Sequence, residues 1–241
     1  MIELKFLTCE FDEKIILDNI NLKIKNHLSI LGANGSGKST LAKSICSLVK
    51  YDGNILIDSK NIKELSLIQR AKIISYVPAK LEIYEQFITV QEFVLLGRFT
   101  YKKSYFDYSL EDKNITKQTL EFLKIDHLKN HLVNSLSSGE QQLVLIAAAL
   151  TGQSKIIIFD EPTANLDPHN SKVIAEHIKG LKKYHQIILI THDLHLASYV
   201  DSEILFIKDK KAKLYADEFF KDETLNELYG VKFNNMVVLY D

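Results

Sequence analysis

The chain has 241 residues, 46% hydrophobic and 25% charged, which suits one large domain or one domain carrying a smaller lobe at about 100–200 residues per domain. Its 30 basic and 31 acidic residues leave a formal net charge of -1, which argues against a dedicated nucleic-acid binder. Two cysteines, Cys9 and Cys46, are too few for a disulfide framework, and the longest apolar run, Leu143 to Leu150, is far short of the roughly 18 residues that span a bilayer.

The opening stretch MIELKFLTCE carries Glu3 and Lys5 where an export segment would be apolar, so a reducing, cytoplasmic setting is expected. Alternating Ile2, Leu4 and Phe6, then Ile20, Leu22 and Ile24, predict half-buried antiparallel strands. His27 to Leu31 is a short apolar run leading into glycines and a helical pattern from Lys38 to Val49. Asn54 to Ile57 and Ile73 to Val77 read as further strands. Residues from about 80 to 135 are polar and helical, with helices near Val90–Leu96 and Leu110–Leu123. A helix from about Gly139 to Leu150, a buried strand Lys155 to Phe159, a helix Ser171–Lys183 and a strand Gln186–Ile190 follow. Another helix and the strands Ile204–Ile207 and Lys213–Tyr215 close the pattern. Strands alternating with long helices predict an α/β fold around a mainly parallel sheet.

Three of the nine glycines lie in one window, Gly32-Ala33-Asn34-Gly35-Ser36-Gly37-Lys38-Ser39-Thr40, which fits the phosphate-binding pattern G-x-x-x-x-G-K-[ST]. Glycines let successive backbone N–H groups turn inward around phosphate oxygens, and the helix that follows adds its positive end. Lys38 should reach the β- and γ-phosphates, and the Ser39 hydroxyl should ligate Mg²⁺. Ile156-Ile157-Ile158-Phe159-Asp160-Glu161 is an apolar strand ending in two carboxylates. Asp160 is the second expected Mg²⁺ ligand, and Glu161 is placed to polarise the attacking water. A solvated strand-end charge is the plainer reading of Glu161. The glycine loop alone leaves kinases, GTPases, helicases and transporter motors open, and the acidic strand end narrows the choice.

Further elements narrow the choice. Leu136-Ser137-Ser138-Gly139-Glu140 resembles the LSGGQ signature of ATP-binding-cassette (ABC) transporter subunits, Ala164-Asn165-Leu166-Asp167 resembles their D-loop, and Thr191-His192-Asp193 follows a strand as their switch histidine does. Phe11 stands at the spacing of the aromatic that stacks on adenine. The resemblance runs almost end to end. It implies a P-loop NTPase core with an N-terminal antiparallel β subdomain (core about 1–79 and 151–241) and a helical subdomain (about 80–150). It also implies two copies head to tail, each ATP held between the glycine loop of one and the signature of the other. Ser137 and Gly139 would then touch the γ-phosphate across the interface, His192 would hold the γ-phosphate and the Glu161 water, and Asp167 would tie the two sites together. A helix-start histidine without a catalytic part is the bland reading of His192.

Ile88-Thr89-Val90-Gln91-Glu92-Phe93-Val94-Leu95-Leu96-Gly97-Arg98 and Thr224-Leu225-Asn226-Glu227-Leu228-Tyr229-Gly230 resemble segments of importer cassettes for iron chelates, haem and cobalamin. Zinc and manganese importer cassettes share a similar middle segment. The implied partners are integral permease subunits and, indirectly, a substrate-binding protein, with no nucleic acid; the implied place is the cytoplasmic face of the inner membrane, held peripherally. A soluble, non-transport ABC ATPase is the alternative, disfavoured by the lack of a coiled-coil insertion or a second cassette. Three departures stand out. Ala79 replaces the glutamine that normally contacts Mg²⁺ and water, which implies reduced turnover, and Gln86 is seven positions away. Ser138 replaces a signature glycine, and Glu140 replaces the usual glutamine. The aromatic run Phe99, Tyr101, Tyr105, Phe106 and Tyr108 is read either as partner-docking surface or as local packing.

Overall fold

The computed structural model describes residues 1–82, 85, 87–102, 107–215 and 218–233. In chain order come β1 (Ile2–Phe11), β2 (Lys14–Ile24), β3 (Leu28–Gly32), α1 (Lys38–Ile45), β4 (Asp52–Ile57) and β5 (Lys60–Asn61). Next are α2 (Leu67–Ala71), β6 (Ile74–Val77), α3 (Val90–Leu95), α4 (Leu110–Phe122), α5 (Ser138–Thr151), β7 (Ile156–Asp160) and α6 (Pro168–Leu181). The chain then forms β8 (Gln186–Ile190), α7 (Leu194–Val200), β9 (Glu203–Lys208), β10 (Lys211–Tyr215) and α8 (Asp222–Tyr229). The architecture is α/β, with the expected antiparallel and parallel strand sets. Packing divides it into two compact units, Met1–Leu65 with Gln186–Asp241, and Ser66–His185.

The first unit holds an antiparallel sheet in the order β2-β1-β4-β5. Ile2 pairs with Ile24 and Leu4 with Leu22 on one side, and Ile2 with Ile57 and Leu4 with Ile55 on the other. The expected inward alternation stops at Phe6. That residue takes φ 53° and is 67% exposed, while Leu7 turns into the core. Register shifts between Leu4 and Leu7 and between Lys5 and Thr8 mark a bulge, which moves the apolar set one residue along. The second strand set of this unit places β3 parallel to both β8 and β9, with β10 closing antiparallel on β9. All five residues of β3 are buried, as a parallel strand covered on both faces requires.

α1 ends at Ile45 rather than at Val49 as the periodicity predicts. Ser47 takes φ 55°, its N–H donates to the Ser44 carbonyl at 2.8 Å, and the Leu48 N–H donates to the Lys43 carbonyl at 2.8 Å. These are the two bonds of a Schellman cap, formed here without glycine. At the other end of the unit, α8 stops at Gly230 with φ 70°, and Leu225 packs with Phe206 and Phe219 in a buried cluster that Tyr229 and Phe233 extend.

In the second unit β6 runs parallel to β7, with Ile74 opposite Ile156 and Val77 opposite Phe159. α6 begins at Pro168, three residues before the expected Ser171, because Asp167 caps it and proline is suited to the first helical position. Arg98, at the end of the ITVQEFVLLGR segment, is buried. Its Nε donates to Asp112 Oδ1 at 2.8 Å, and its Nη1 donates to the Thr151 carbonyl and to Gln153 Oε1, each at 2.8 Å. The guanidinium lies 3.9 Å from the Tyr101 ring centroid. Of the aromatic run, Tyr101 is therefore local packing, Phe99 is 66% exposed, and Tyr105 and Phe106 lie outside the described residues.

Removing one partner of this buried pair strands the other charge, so Arg98→Ala should lower stability by about 3–5 kcal/mol in urea titration. Burial pushes the Asp112 carboxyl up, but hydrogen bonds from Ser109 and Arg98 outweigh it and leave the group below its ordinary value of 3.8. Its contribution is therefore present at neutral pH and is lost as pH falls below about 4, so acid should destabilise the parent more steeply than Asp112→Asn.

Candidate functional site

In the first unit the turn from β3 into α1 builds the glycine loop. Gly32, Gly35 and Gly37 take φ of 147°, 76° and 103°. A Cβ on Gly32 would lie 2.5 Å from the Ile207 carbonyl oxygen and 2.8 Å from Ser36 Oγ, so this position admits only glycine. Gly37 caps α1 with no side-chain hydrogen bond. The first N–H groups of a helix lack intrahelical partners, which leaves this end to an anion. Lys38 is 6% exposed and folds over the loop, donating to the carbonyls of Gly32 at 2.9 Å and Ala33 at 3.1 Å. Ser36 Oγ is buried and has no hydrogen-bond partner among the described residues. A buried orphan hydroxyl, an uncapped helix start and a lysine in one turn fit a phosphate chain.

Next to this loop, the Thr191 N–H donates to the Ile30 carbonyl at 3.2 Å, which ties the end of β8 to β3. Thr191 Oγ1 accepts from the Asp193 N–H at 3.0 Å, and Asp193 Oδ1 caps α7 by accepting from the N–H groups of His195 at 2.8 Å and Leu196 at 3.2 Å. His192 is thereby held on an exposed turn at the carboxyl end of a parallel strand. Phe11 is the last residue of β1, opposite Lys14, and is 45% exposed, leaving a ring face available.

The second unit carries the carboxylates. β7 is buried at every position and delivers Asp160, 5% exposed, at its end. Tyr76 on the neighbouring β6 donates its hydroxyl to Asp160 Oδ2 at 2.5 Å, a contact that the sequence pattern does not disclose. A buried carboxylate at a strand end is a hard oxygen donor of the kind that suits Mg²⁺. Glu161 follows with φ 50°, an uncommon conformation for glutamate that turns the chain sharply where the strand ends. Ala79 is exposed just past β6, and its methyl supplies neither a ligand nor a hydrogen bond; Gln86 lies outside the described residues.

The signature departure at Glu140 has a physical basis. Ser137 caps α5, Glu140 Oε2 accepts from the Ser137 N–H at 2.9 Å and from its hydroxyl at 2.7 Å, and the Glu140 N–H donates back to Ser137 Oγ at 3.4 Å. This is a capping box, in which glutamate and glutamine at the third position serve alike. The pattern S-x-x-E was available in the sequence and identifies it. Gly139 is buried, whereas Ser137 and Ser138 are exposed. Asp167 caps α6 by accepting from the Asn170 N–H at 3.0 Å.

Residues 17–164 match the protein family described as ABC transporter. An uncharacterized ABC transporter ATP-binding protein of Methanocaldococcus jannaschii is 37% identical over 92% of this chain and 88% of its own length. A Helicobacter pylori protein named "Probable iron chelatin transport ATP-binding protein" is 33% identical over 100% of this chain and 99% of its own. Among solved structures, the dimeric bacterial ABC transporter cassette MJ0796 is 31% identical, with a TM-score of 0.77 over 88% of this chain and 97% of that one. The same cassette has also been solved as a dimer in a post-hydrolysis state bound to ADP and Pi, with 29% identity and a TM-score of 0.72 over 89% of this chain and 98% of that one.

The capping box predicts a selective pattern. Glu140→Ala should cost about 1 kcal/mol, or about 2–4 °C in Tm, whereas Glu140→Gln should change Tm by less than about 1 °C at pH 7. The Ser137 hydroxyl and then its N–H hold the Glu140 carboxyl below its ordinary value of 4.5, so the box weakens as pH falls below that value. The glutamine variant should lack this acid-dependent loss in a thermal scan.

Proposed function

The chain belongs to the ABC transporter family as an ATP-binding, ATP-hydrolysing subunit, and we propose that it powers an importer for a metal chelate of the iron-siderophore, haem or cobalamin type. The observation that carries the ATPase reading is the glycine loop, with its buried orphan Ser36 hydroxyl at the uncapped start of α1 and Lys38 folded over it. The cargo class rests on the ITVQEFVLLGR segment and on the full-length likeness to the iron chelatin transport relative.

In this reading Gly32, Asn34, Gly35, Ser36, Gly37, Lys38, Ser39 and Thr40 bind the phosphate chain, and Phe11 stacks on adenine. Ser39 and Asp160 hold Mg²⁺, which supplies positive charge to the phosphate oxygens when bound. Glu161 accepts a proton from the water that attacks the γ-phosphate, and His192 donates a hydrogen bond to that phosphate. Ser137 and Gly139 of a second, head-to-tail copy close over the same nucleotide, and Asp167 joins the two sites. ATP draws the pair together and hydrolysis releases it, a cycle that permease subunits convert into import. Residues of about 80–150 form the helical subdomain. Among the described residues no helix is long and apolar enough to cross a membrane. In this reading permease subunits hold the chain peripherally at the cytoplasmic face of the inner membrane.

Two measurements test this reading. Glu161→Gln should slow ATP turnover by about 10²–10⁴-fold and trap an ATP-dependent dimer on sizing. A monomer at saturating ATP would contradict the clamp. Ala79→Gln should raise steady-state ATPase activity by restoring the missing side chain, and an unchanged rate would remove Ala79 as the cause of slow turnover.

A further inference from the structure

Gly139 lies in α5 with a φ outside the left-handed region, so its torsions do not call for glycine. Space does. A Cβ placed there would lie 2.7 Å from Asn170 Cγ, 2.8 Å from Oδ1 and 3.0 Å from Nδ2, so the three nearest atoms are those of one carboxamide. That carboxamide is not a loose side-chain end that could swing away. Asn170 Nδ2 donates to Asp167 Oδ2 at 2.5 Å, and the Asn170 backbone N–H donates to Asp167 Oδ1 at 3.0 Å. The Asn170 backbone N–H, and after it the carboxamide, also hold the Asp167 carboxyl below the usual carboxylate range, which keeps it an anionic anchor at neutral pH. Moving the carboxamide would break its bond to the helix cap.

We propose that Asn170 is a positioning residue that locks the Asp167 turn and the Ser137–Gly139 turn to each other, and that Gly139 must be glycine because it seats against its own chain's Asn170. The surrounding residues Ser137, Ser138 and Asp167 are exposed, so this contact fixes the spacing of groups on an outer face of the second unit. The proposal rests on the reading of these two turns as surfaces offered to a second copy. Asn170 sets their relative placement before any nucleotide binds. A second copy then meets the signature glycine and the D-loop carboxylate as one preformed surface, without the cost of ordering each separately.

A double-mutant cycle in the full chain tests this with two readouts. The variants are Gly139→Ala, Asn170→Ala, Gly139→Ala/Asn170→Ala and Asn170→Ser, the last keeping a hydroxyl donor for Asp167. The first readout is Tm without nucleotide. Gly139→Ala should lower it, and the double variant should recover most of the loss because the obstructing carboxamide is gone. The second readout, in the Glu161→Gln background, is the ATP concentration for half-maximal dimer. Gly139→Ala should raise it about tenfold, the size expected for coupled residues in contact, and the double variant should recover most of that rise. Asn170→Ala alone should raise it severalfold, and Asn170→Ser should lie near the parent. A double variant as impaired as Gly139→Ala in both readouts overturns the proposal, as does Asn170→Ala dimerising like the parent. Failure of the Glu161→Gln parent to dimerise would instead defeat the clamp reading. The nucleotide-free cycle would then still decide whether Asn170 imposes the glycine.

Discussion

The start of α1 presents backbone N–H groups that the helix itself cannot satisfy, at the end of a loop whose three glycines all take positive φ. An anion is the natural partner for that end, and the loop is shaped rigidly enough to hold one. β3 is buried throughout and bonded to β8 on one side and β9 on the other. The β9 carbonyl at Ile207 presses against Gly32, and the Ile30 carbonyl fixes Thr191 one residue before His192. The glycine loop and the histidine turn are thus carried by the same three strands.

The second unit is organised by a different device. α2, α3, α4 and α5 each begin with a reciprocal capping box, formed by Ser66 with Gln69, Thr89 with Glu92, Ser109 with Asp112, and Ser137 with Glu140. In three of the four the third residue is a carboxylate, which also complements the helix dipole. At α4 the same carboxylate takes the buried Arg98, so one side chain both starts a helix and anchors the segment before it. At α5 the box holds Ser137 at the exposed helix start. The tyrosine bond to Asp160 does comparable work for the acidic strand, holding one carboxylate oxygen while the strand end presents the group.

Periodicity and punctuation made the parallel strands legible, because β3, β7 and β8 are short, mostly apolar runs, β3 ending in glycine and β7 in aspartate. The glycine loop and the acidic strand end are short patterns whose residue types the chemistry dictates, whereas the histidine turn stood out only through the family resemblance. What escaped depends on geometry that spacing does not encode. Phe6 looks inward by alternation but is turned out by a bulge. The end of α1 is a Schellman cap at Ser47, where no glycine signals it. α2 and β5 are short, and the exposed Leu67 and Ile68 of α2 give no apolar stripe to detect. Tyr76 and Asn170 act on partners 84 positions away and in another helix respectively, which no local pattern shows. The boxes at Ser109 and Ser137 are readable as S-x-x-[DE], but Glu140 reads first as a departure from the signature, and nothing local singles out Asp112.

Titration calorimetry with a non-hydrolysable ATP analogue and Mg²⁺ addresses the anion-holding loop most directly. Removing the charged donor of Lys38 while keeping a side chain of similar length, as Lys38→Gln does, should weaken binding by about 10–100-fold. Equal affinity in the parent and the variant would show that the triphosphate does not lie on the turn between β3 and α1, and would contradict the account at its base.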